Sequence, residues 1–185
     1  MSAIAIDERR ALNLGSGKAY DPAAVNLDVT SDTSPDVVHD LDVRPWPFPD
    51  DRFDRVEAID VIEHLADTLG TMDELHRICR PGAEVKIVLP HFSSVNAFTD
   101  LTHRAFFAYK SFDYVTGEHA HDYYTRARFR MRRREIVFTQ RPVNKLVRRF
   151  ARRDPRRYEE RYAWLFPAWF LVFELEVVKG PSPRP

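Results

Sequence analysis

The sequence predicts an α/β protein with a mostly parallel sheet. Three observations carry this. From residue 11 to residue 89, short apolar runs alternate with turns and one amphipathic helical stretch. The first run, Leu12-Asn13-Leu14, leads into a Gly15-Ser16-Gly17 turn, and the next run ends in Asp28, eleven residues past Gly17. The tail Phe173-Glu174-Leu175-Glu176-Val177-Val178 alternates with period two, as a strand with one buried face does.

The elements follow in order. The first strand lies near 11–14 and the second near 25–29. The residues between them are too few for a multi-turn helix, so the first helix region is reduced. Val37-Val38-His39-Asp40-Leu41 supplies a third strand near 37–39 and another acid. Trp46-Pro47-Phe48-Pro49-Asp50-Asp51-Arg52-Phe53-Asp54 reads as a proline-punctuated loop before a fourth strand near 55–59. Leu65, Leu69, Met72, Leu75 and Cys79 recur at three- and four-residue spacing, an amphipathic helix that Pro81-Gly82 ends. The fifth strand covers 84–89. Residues 90–125 form a long loop with a short helix near 105–115; a loop of that length is usually a lid or binding segment. Arg126, Arg128, Arg130 and Arg132 alternate with Ala127, Phe129 and Met131, which predicts a half-buried strand with an arginine row, continued or repeated by Ile136-Val137-Phe138. Residues 143–163 look helical, the last strand covers about 170–178, and 180–185 read as a frayed tail. The chain suits one domain, 1–185: a core over 11–92, a loop over 93–125, and last strands with a basic helical insertion over 126–179.

In this order the motifs resemble the class I S-adenosylmethionine-dependent methyltransferases, especially their small type 11 branch. The resemblance rests on Gly15-Ser16-Gly17, Asp28, the loop Pro47-Phe48-Pro49-Asp50 with Phe53-Asp54, the pair Glu63-His64 and the turn Arg80-Pro81-Gly82. It implies a Rossmann-like seven-stranded, mostly parallel sheet in a three-layer αβα arrangement, with the 173–178 tail as its antiparallel last strand. It also implies S-adenosylmethionine as cofactor and S-adenosylhomocysteine as product. Leu14, Gly15, Ser16 and Gly17 would then pass under the methionine part, and Asp28 would bond the ribose. Asp40 and Leu41 would lie beside the adenine. Asp60, Val61 and His64 would border the sulfonium side. The short stretch after Gly17 departs from the family pattern. It predicts an open cofactor site whose missing wall comes from the 92–125 loop, from Met1 to Arg10 or from a second subunit of a homodimer.

Composition narrows the function classes. Met1 to Arg10 is charged and lacks the apolar segment of a secretory signal. The longest apolar run, Trp164 to Phe173, contains Pro167 and is too short to span a bilayer. The single cysteine, Cys79, excludes an internal disulfide and a cysteine zinc site, and reads as a buried thiol. A cytoplasmic setting fits, with a peripheral place at a membrane surface as a variant. Net charge is zero, yet acids dominate residues 1–125 and arginines dominate 126–161. The Arg126–Arg161 segment is therefore a solvated basic face or a docking surface for an anionic partner, nucleic acid or lipid headgroup.

The candidate chemistry follows the fifth strand, in Pro90-His91-Phe92-Ser93-Ser94 and on to Asp100, Thr102, His103 and Tyr109. Methyl transfer needs alignment, and a base when the acceptor is protonated. His91 and His103 are the candidate bases, with Asp100 as orienting partner; hydrogen bonding that pins the loop is the other reading of these residues. His91, Asp100, His103, His119 and His121 match no compact ligand spacing, so no metal is expected. The reading is a methyltransferase acting on a small or carbohydrate-like acceptor. Its alternatives are a methyltransferase-fold binding protein without catalysis and a nucleic-acid or membrane-surface binder. Asp60-Val61-Ile62-Glu63 stands where base N-methylating enzymes carry an N/D-P-P-Y/F-like tetrad, which argues against that chemistry.

Overall fold

The computed structural model describes residues 8–119, 122–140 and 144–180. The expectations for His121, for residue 143 and for the tail beyond Gly180 lie outside the described residues. Seven strands form one sheet: β1 (Ala11–Leu14), β2 (Ala24–Asp28), β3 (Val37–Val38), β4 (Phe53–Ile59), β5 (Cys79–Pro90), β6 (Phe129–Val137) and β7 (Phe170–Val177). Their order is β3-β2-β1-β4-β5-β7-β6. The first five run parallel, and β7 lies antiparallel between β5 and β6.

The helices are α1 (Thr68–Ile78), the four-residue turns α2 (Asn96–Thr99) and α3 (Asp113–Thr116), then α4 (Asn144–Arg153) and α5 (Pro155–Arg161). Asp67 caps α1, its carboxylate accepting from the Gly70 amide. The helix buries Met72, Leu75 and Ile78. It ends one turn earlier than expected: Cys79 is already extended and opens β5, paired with Phe53. Arg80-Pro81-Gly82 therefore sits inside a strand, next to a register shift in β4. The short helix expected near 105–115 is displaced: 105–112 is not helical, and α3 begins at Asp113. The arginine strand starts at Phe129, and a register shift between Met131 and Arg133 breaks its alternation. The expected helix over 143–163 divides at Asp154, which caps α5 ahead of Pro155.

The register exposes a feature that periodicity alone did not. Leu12, Val25, Val56, Val85 and Leu175 stand in one cross-sheet row, and Leu14, Leu27, Ala58, Ile87 and Phe173 in another; all are buried in one apolar cluster. The alternate rows are polar. Asn26, Asn13, Glu57, Lys86, Glu174 and Arg133 line up across six strands. Glu57 pairs with Lys86 at 3.6 Å, and Arg133 with Glu174 at 3.0 Å. Both pairs are substantially exposed. The sheet is thus apolar on one face and an ion-pair lattice on the other. Among the connections, β1–β2 carries no helix, and β2–β3 carries only a three-residue 3-10 turn at Ser31–Thr33.

The proline-punctuated loop owes its shape to α1. Glu74 accepts from the Trp46 amide at 2.8 Å, and Arg77 donates to the Trp46 and Phe48 carbonyls and to Asp50. Phe48 packs edge-on against Phe53 at 4.9 Å. This family-like motif is therefore a structural clasp.

Candidate functional site

In a parallel sheet every strand's carboxyl end opens at one edge, and ligands bind there. Gly15, Asp28, Asp60 and His91 all emerge at that edge, at or just past the ends of β1, β2, β4 and β5. Gly15 adopts φ of +61° and lies against Val61: a Cβ there would meet Val61 Cγ2 at 2.4 Å. Gly17 has φ of +48°, and a Cβ on it would meet nothing within 4 Å. The turn is closed underneath and open above.

Asp28 is 9% exposed. Its Oδ2 accepts from the Gly17 amide at 2.7 Å, and its Oδ1 from the Thr30 amide at 3.2 Å. A carboxylate offers about four acceptor positions, so Asp28 keeps capacity for further donors. Ser16 is tied to β2 through its amide and the Leu27 carbonyl. The backbone cradle and the acid thus form one unit, and the donor set fits a ligand that carries vicinal hydroxyls.

The short β1–β2 connection is held by side chains instead of a helix. Asn26 is fully buried; it accepts from the Asp21 amide and from Asn13, and donates to the Asp21 carbonyl and to Asp36. Asn13 donates to the Ala19 carbonyl at 2.7 Å. Arg9 pairs with Asp36 at 3.0 Å. Burial alone would raise the Asp36 carboxyl, but the Asn26 hydrogen bonds, the Tyr20 hydroxyl and the Arg9 charge outweigh it and hold the carboxyl below its usual range.

The other expected positions fall out as follows. Asp40 is exposed and accepts from the Asp42 amide. Leu41 is buried, and its carbonyl accepts from the Trp46 indole. Asp60 sits at φ of +53°, with its amide on the Val88 carbonyl. Burial raises its carboxyl, against the pull of His103 and His64. His91 is fully buried with both ring nitrogens engaged. Nδ1 meets Ser93, whose amide donates to it at 3.1 Å, so the Nε2 hydrogen goes to Glu159 at 3.2 Å. Glu159 also receives the Tyr109 amide, so His91 and Glu159 together pin the loop to α5. Asp100 does not orient His91; it accepts from the Thr102 hydroxyl, which contacts His64 Nδ1 at 2.8 Å.

His103 lies beside His64, the ring centroids 4.6 Å apart at 70°. Its Nδ1 meets the Ala97 carbonyl at 3.1 Å, and its Nε2 lies 4.0 Å from Glu63 Oε1. The loop reaches this place because the Arg104 and Ala105 amides both bond the Glu63 carbonyl. Glu63 is 1% exposed, and neither carboxylate oxygen has a hydrogen-bond partner among the described residues. Burial, aided by the Asp60 charge, pushes its carboxyl up to about 7, while the neighbouring backbone amides and His103 oppose the rise. Burial and the His103 charge hold His64 below its ordinary range. Sequence reasoning gave Glu63 no chemical role. Its signal was its place in the Glu63-His64 pair of the family resemblance.

Residues 10–87 match a family model described as a methyltransferase domain. A comparison with curated proteins gives no match. Among solved structures, an S-adenosylmethionine-dependent methyltransferase from Archaeoglobus fulgidus aligns over 92% of this chain and 87% of its own, at TM-score 0.61 and 15% identity. One from Mesorhizobium loti aligns over 90% of each chain, at TM-score 0.56 and 15% identity. The [4+2]-cyclase SpnF aligns over 92% of this chain and 75% of its own, at TM-score 0.57 and 14% identity.

Proposed function

We propose, from a chain whose residues 10–87 carry a methyltransferase domain, that this protein is an S-adenosylmethionine-dependent methyltransferase acting on a small or carbohydrate-like acceptor. The observation that carries the reading is the coupling of the open Gly17 turn to Asp28 through a 2.7 Å hydrogen bond at the ligand-binding edge. S-adenosylmethionine, when bound, supplies a methyl group on a positively charged sulfur. Leu14, Gly15, Ser16 and Gly17 would hold its amino-acid part, and Asp28 its ribose hydroxyls. Asp40 and Leu41 would flank the adenine, with Asp60, Val61 and His64 on the sulfonium side. The exposed Asp60 carboxylate suits a cation.

Transfer with inversion needs the acceptor held in line, so the protein's task is placement and removal of one proton. His103, beside Asp60 and close to the half-buried His64, is the reading's proton acceptor. His91 holds the loop, and Asp100 acts on His64 through Thr102. The loop also presents Phe98 stacked on Phe106 at 4.9 Å, both about half exposed. Flat aromatic faces suit a sugar ring or another planar acceptor.

Without a helix between β1 and β2, the cofactor site has one open side. The 92–125 loop or a second subunit would close it. Calorimetry with S-adenosylhomocysteine tests the reading: binding in the micromolar range or weaker is expected, and none with NAD. Absence of heat and of any thermal shift would overturn it. SpnF supports a second reading, in which the fold serves chemistry other than methyl transfer. Labelled methyl transfer to acceptor pools separates the two. For the basic segment the anionic-partner reading rests on Arg148, Arg149 and Arg153 of α4, since Arg130, Arg132, Arg133 and Arg152 pair with the chain's own Glu135, Glu174 and Glu176. No helix among the described residues is long and apolar enough to cross a membrane.

A further inference from the structure

We propose that Glu63, His64 and His103 form a binding site for one divalent first-row transition-metal ion of the zinc or iron(II) type. The three side chains come from two segments forty residues apart, joined where the Arg104 and Ala105 amides dock on the Glu63 carbonyl. Each offers one ligand atom, and these atoms lie within 4.8 Å of one another. A zinc ion about 2.1 Å from each ligand needs them roughly 3.4 Å apart, so a contraction of about an ångström completes the site.

The hydrogen bonds around the histidines set them as ligands. Thr102 Oγ1 gives its single hydrogen to Asp100 Oδ1 at 2.6 Å. Towards His64 it can then only accept, which places the His64 hydrogen on Nδ1. The Ala97 carbonyl can likewise only accept, which places the His103 hydrogen on Nδ1. Both rings are left with Nε2 as a bare lone pair. A metal-bound histidine has this arrangement: the far nitrogen donates to a carbonyl or to a carboxylate relay, which fixes tautomer and orientation. The His103 lone pair points towards Glu63 Oε1, 4.0 Å away. Two imidazole nitrogens and a buried carboxyl group thus converge on one point as potential donors to a cation.

Glu63 supplies the independent observation. A carboxylate that is almost fully buried with neither oxygen bonded is costly unless something pairs with it. A dication answers that cost. The donor set, two imidazoles and one carboxylate, suits zinc or iron(II) better than magnesium, which prefers oxygen ligands and retained waters. Three protein ligands leave at least one position open. The ion's bound solvent would then replace His103 as direct proton acceptor in the methyl-transfer reading. Metal binding itself does not depend on that reading.

Cobalt(II) is the probe. Chelator-treated full-length protein should take up one equivalent, with visible absorption bands that zinc displaces. Glu63→Gln and His103→Ala should each weaken uptake at least tenfold and change the bands. Thr102→Ala, which frees His64 to rotate, should weaken it by about tenfold. His76→Ala, whose ring bonds the Val178 carbonyl away from the site, should bind as the parent does. If the site variants fail to fold, histidine-nitrogen NMR of the parent replaces them: the His64 and His103 Nε2 signals should shift with zinc and broaden with cobalt. No uptake at one equivalent overturns the proposal. So does uptake indifferent to Glu63→Gln and His103→Ala, or unmoved Nε2 signals. S-adenosylhomocysteine calorimetry on the metal-free protein reports separately on the cofactor reading.

Discussion

At Gly15 a single added methyl group would meet Val61 Cγ2 at 2.4 Å in a backbone conformation that already disfavours side chains. Gly15→Ala should therefore lose about 2–4 kcal/mol of stability, from overpacking and the left-handed backbone together. The double variant Gly15→Ala/Val61→Ala should recover part of this in urea unfolding; no recovery would place the strain elsewhere. Asp28→Ala should weaken S-adenosylhomocysteine by about 1–3 kcal/mol, read by calorimetry, with the added cost of freeing the Gly17 amide. Cys79 offers a pH test. Burial pushes its thiol from 9.0 up to about 12, with Asp54 and Asp51 adding and Lys179 opposing. Above pH 9 the unfolded thiol loses its proton while the folded one keeps it. Cys79 thus takes away stability as pH climbs from 9 towards 12, at a slope of up to about 1.4 kcal/mol per pH unit. Cys79→Ala should flatten that slope in denaturant midpoints between pH 8.5 and 10.5. The Gly15–Gly17 turn, the strand-end position of Asp28 and the burial of Cys79 were legible in the sequence, although Cys79 opens β5 and does not lie on the helix whose spacing suggested it. Glu63 was not, because its chemistry depends on a loop forty residues downstream folding back on it.

The connection between β1 and β2 replaces a helix with two asparagines. Asn26 is fully buried and bonds both the amide and the carbonyl of Asp21. Asn26→Ala should cost about 2–4 kcal/mol in urea unfolding, since several buried groups lose partners at once. A loss below half a kilocalorie would show that the connection holds without it. Here the sequence told the length of the segment but not what fixed it. Asn13 and Asn26 stand in separate strands, and only the register shows them side by side. The strand ends, the amphipathic α1 and the final strand followed from periodicity, and the antiparallel direction of that strand from the family resemblance. The helix expected near 105–115 did not, because Phe107 pairs with His91 as a β-bridge and the chain stays extended there. The His91 prediction also belongs to this scale. His91→Ala should loosen the loop and α5 together, lowering thermal stability more than it lowers cofactor affinity. His103→Ala should do the reverse to turnover. Equal effects from the two on both readouts would contradict the division of roles.

Across the whole molecule, one sheet face is apolar and the other is a lattice of paired charges. In that lattice arginines of β6 meet acids of β7, Arg130 with Glu176 and Arg133 with Glu174; the acidic 1–125 segment meets the basic one instead through Arg134, which pairs with Asp113 and Glu118. Exposed pairs are worth little each and weaken with salt. Raising salt should therefore change stability only slightly, while any anion docking on α4 should weaken steeply. The lattice also bears on how the protein stays apart from its own copies. An open sheet ends in two strands whose unpaired backbone groups invite a neighbour's strand. One border here, β3, is two residues long and offers almost nothing to extend. The other, β6, interrupts its register and surrounds the shift with Arg130, Arg132 and Arg133, so an incoming copy would bring like charge against like charge. The arginines that read in sequence as a docking face for something else thus also act as a repellent against self-assembly. Replacing those three with glutamine should leave the monomer folded and shorten the time before concentrated solutions turn turbid.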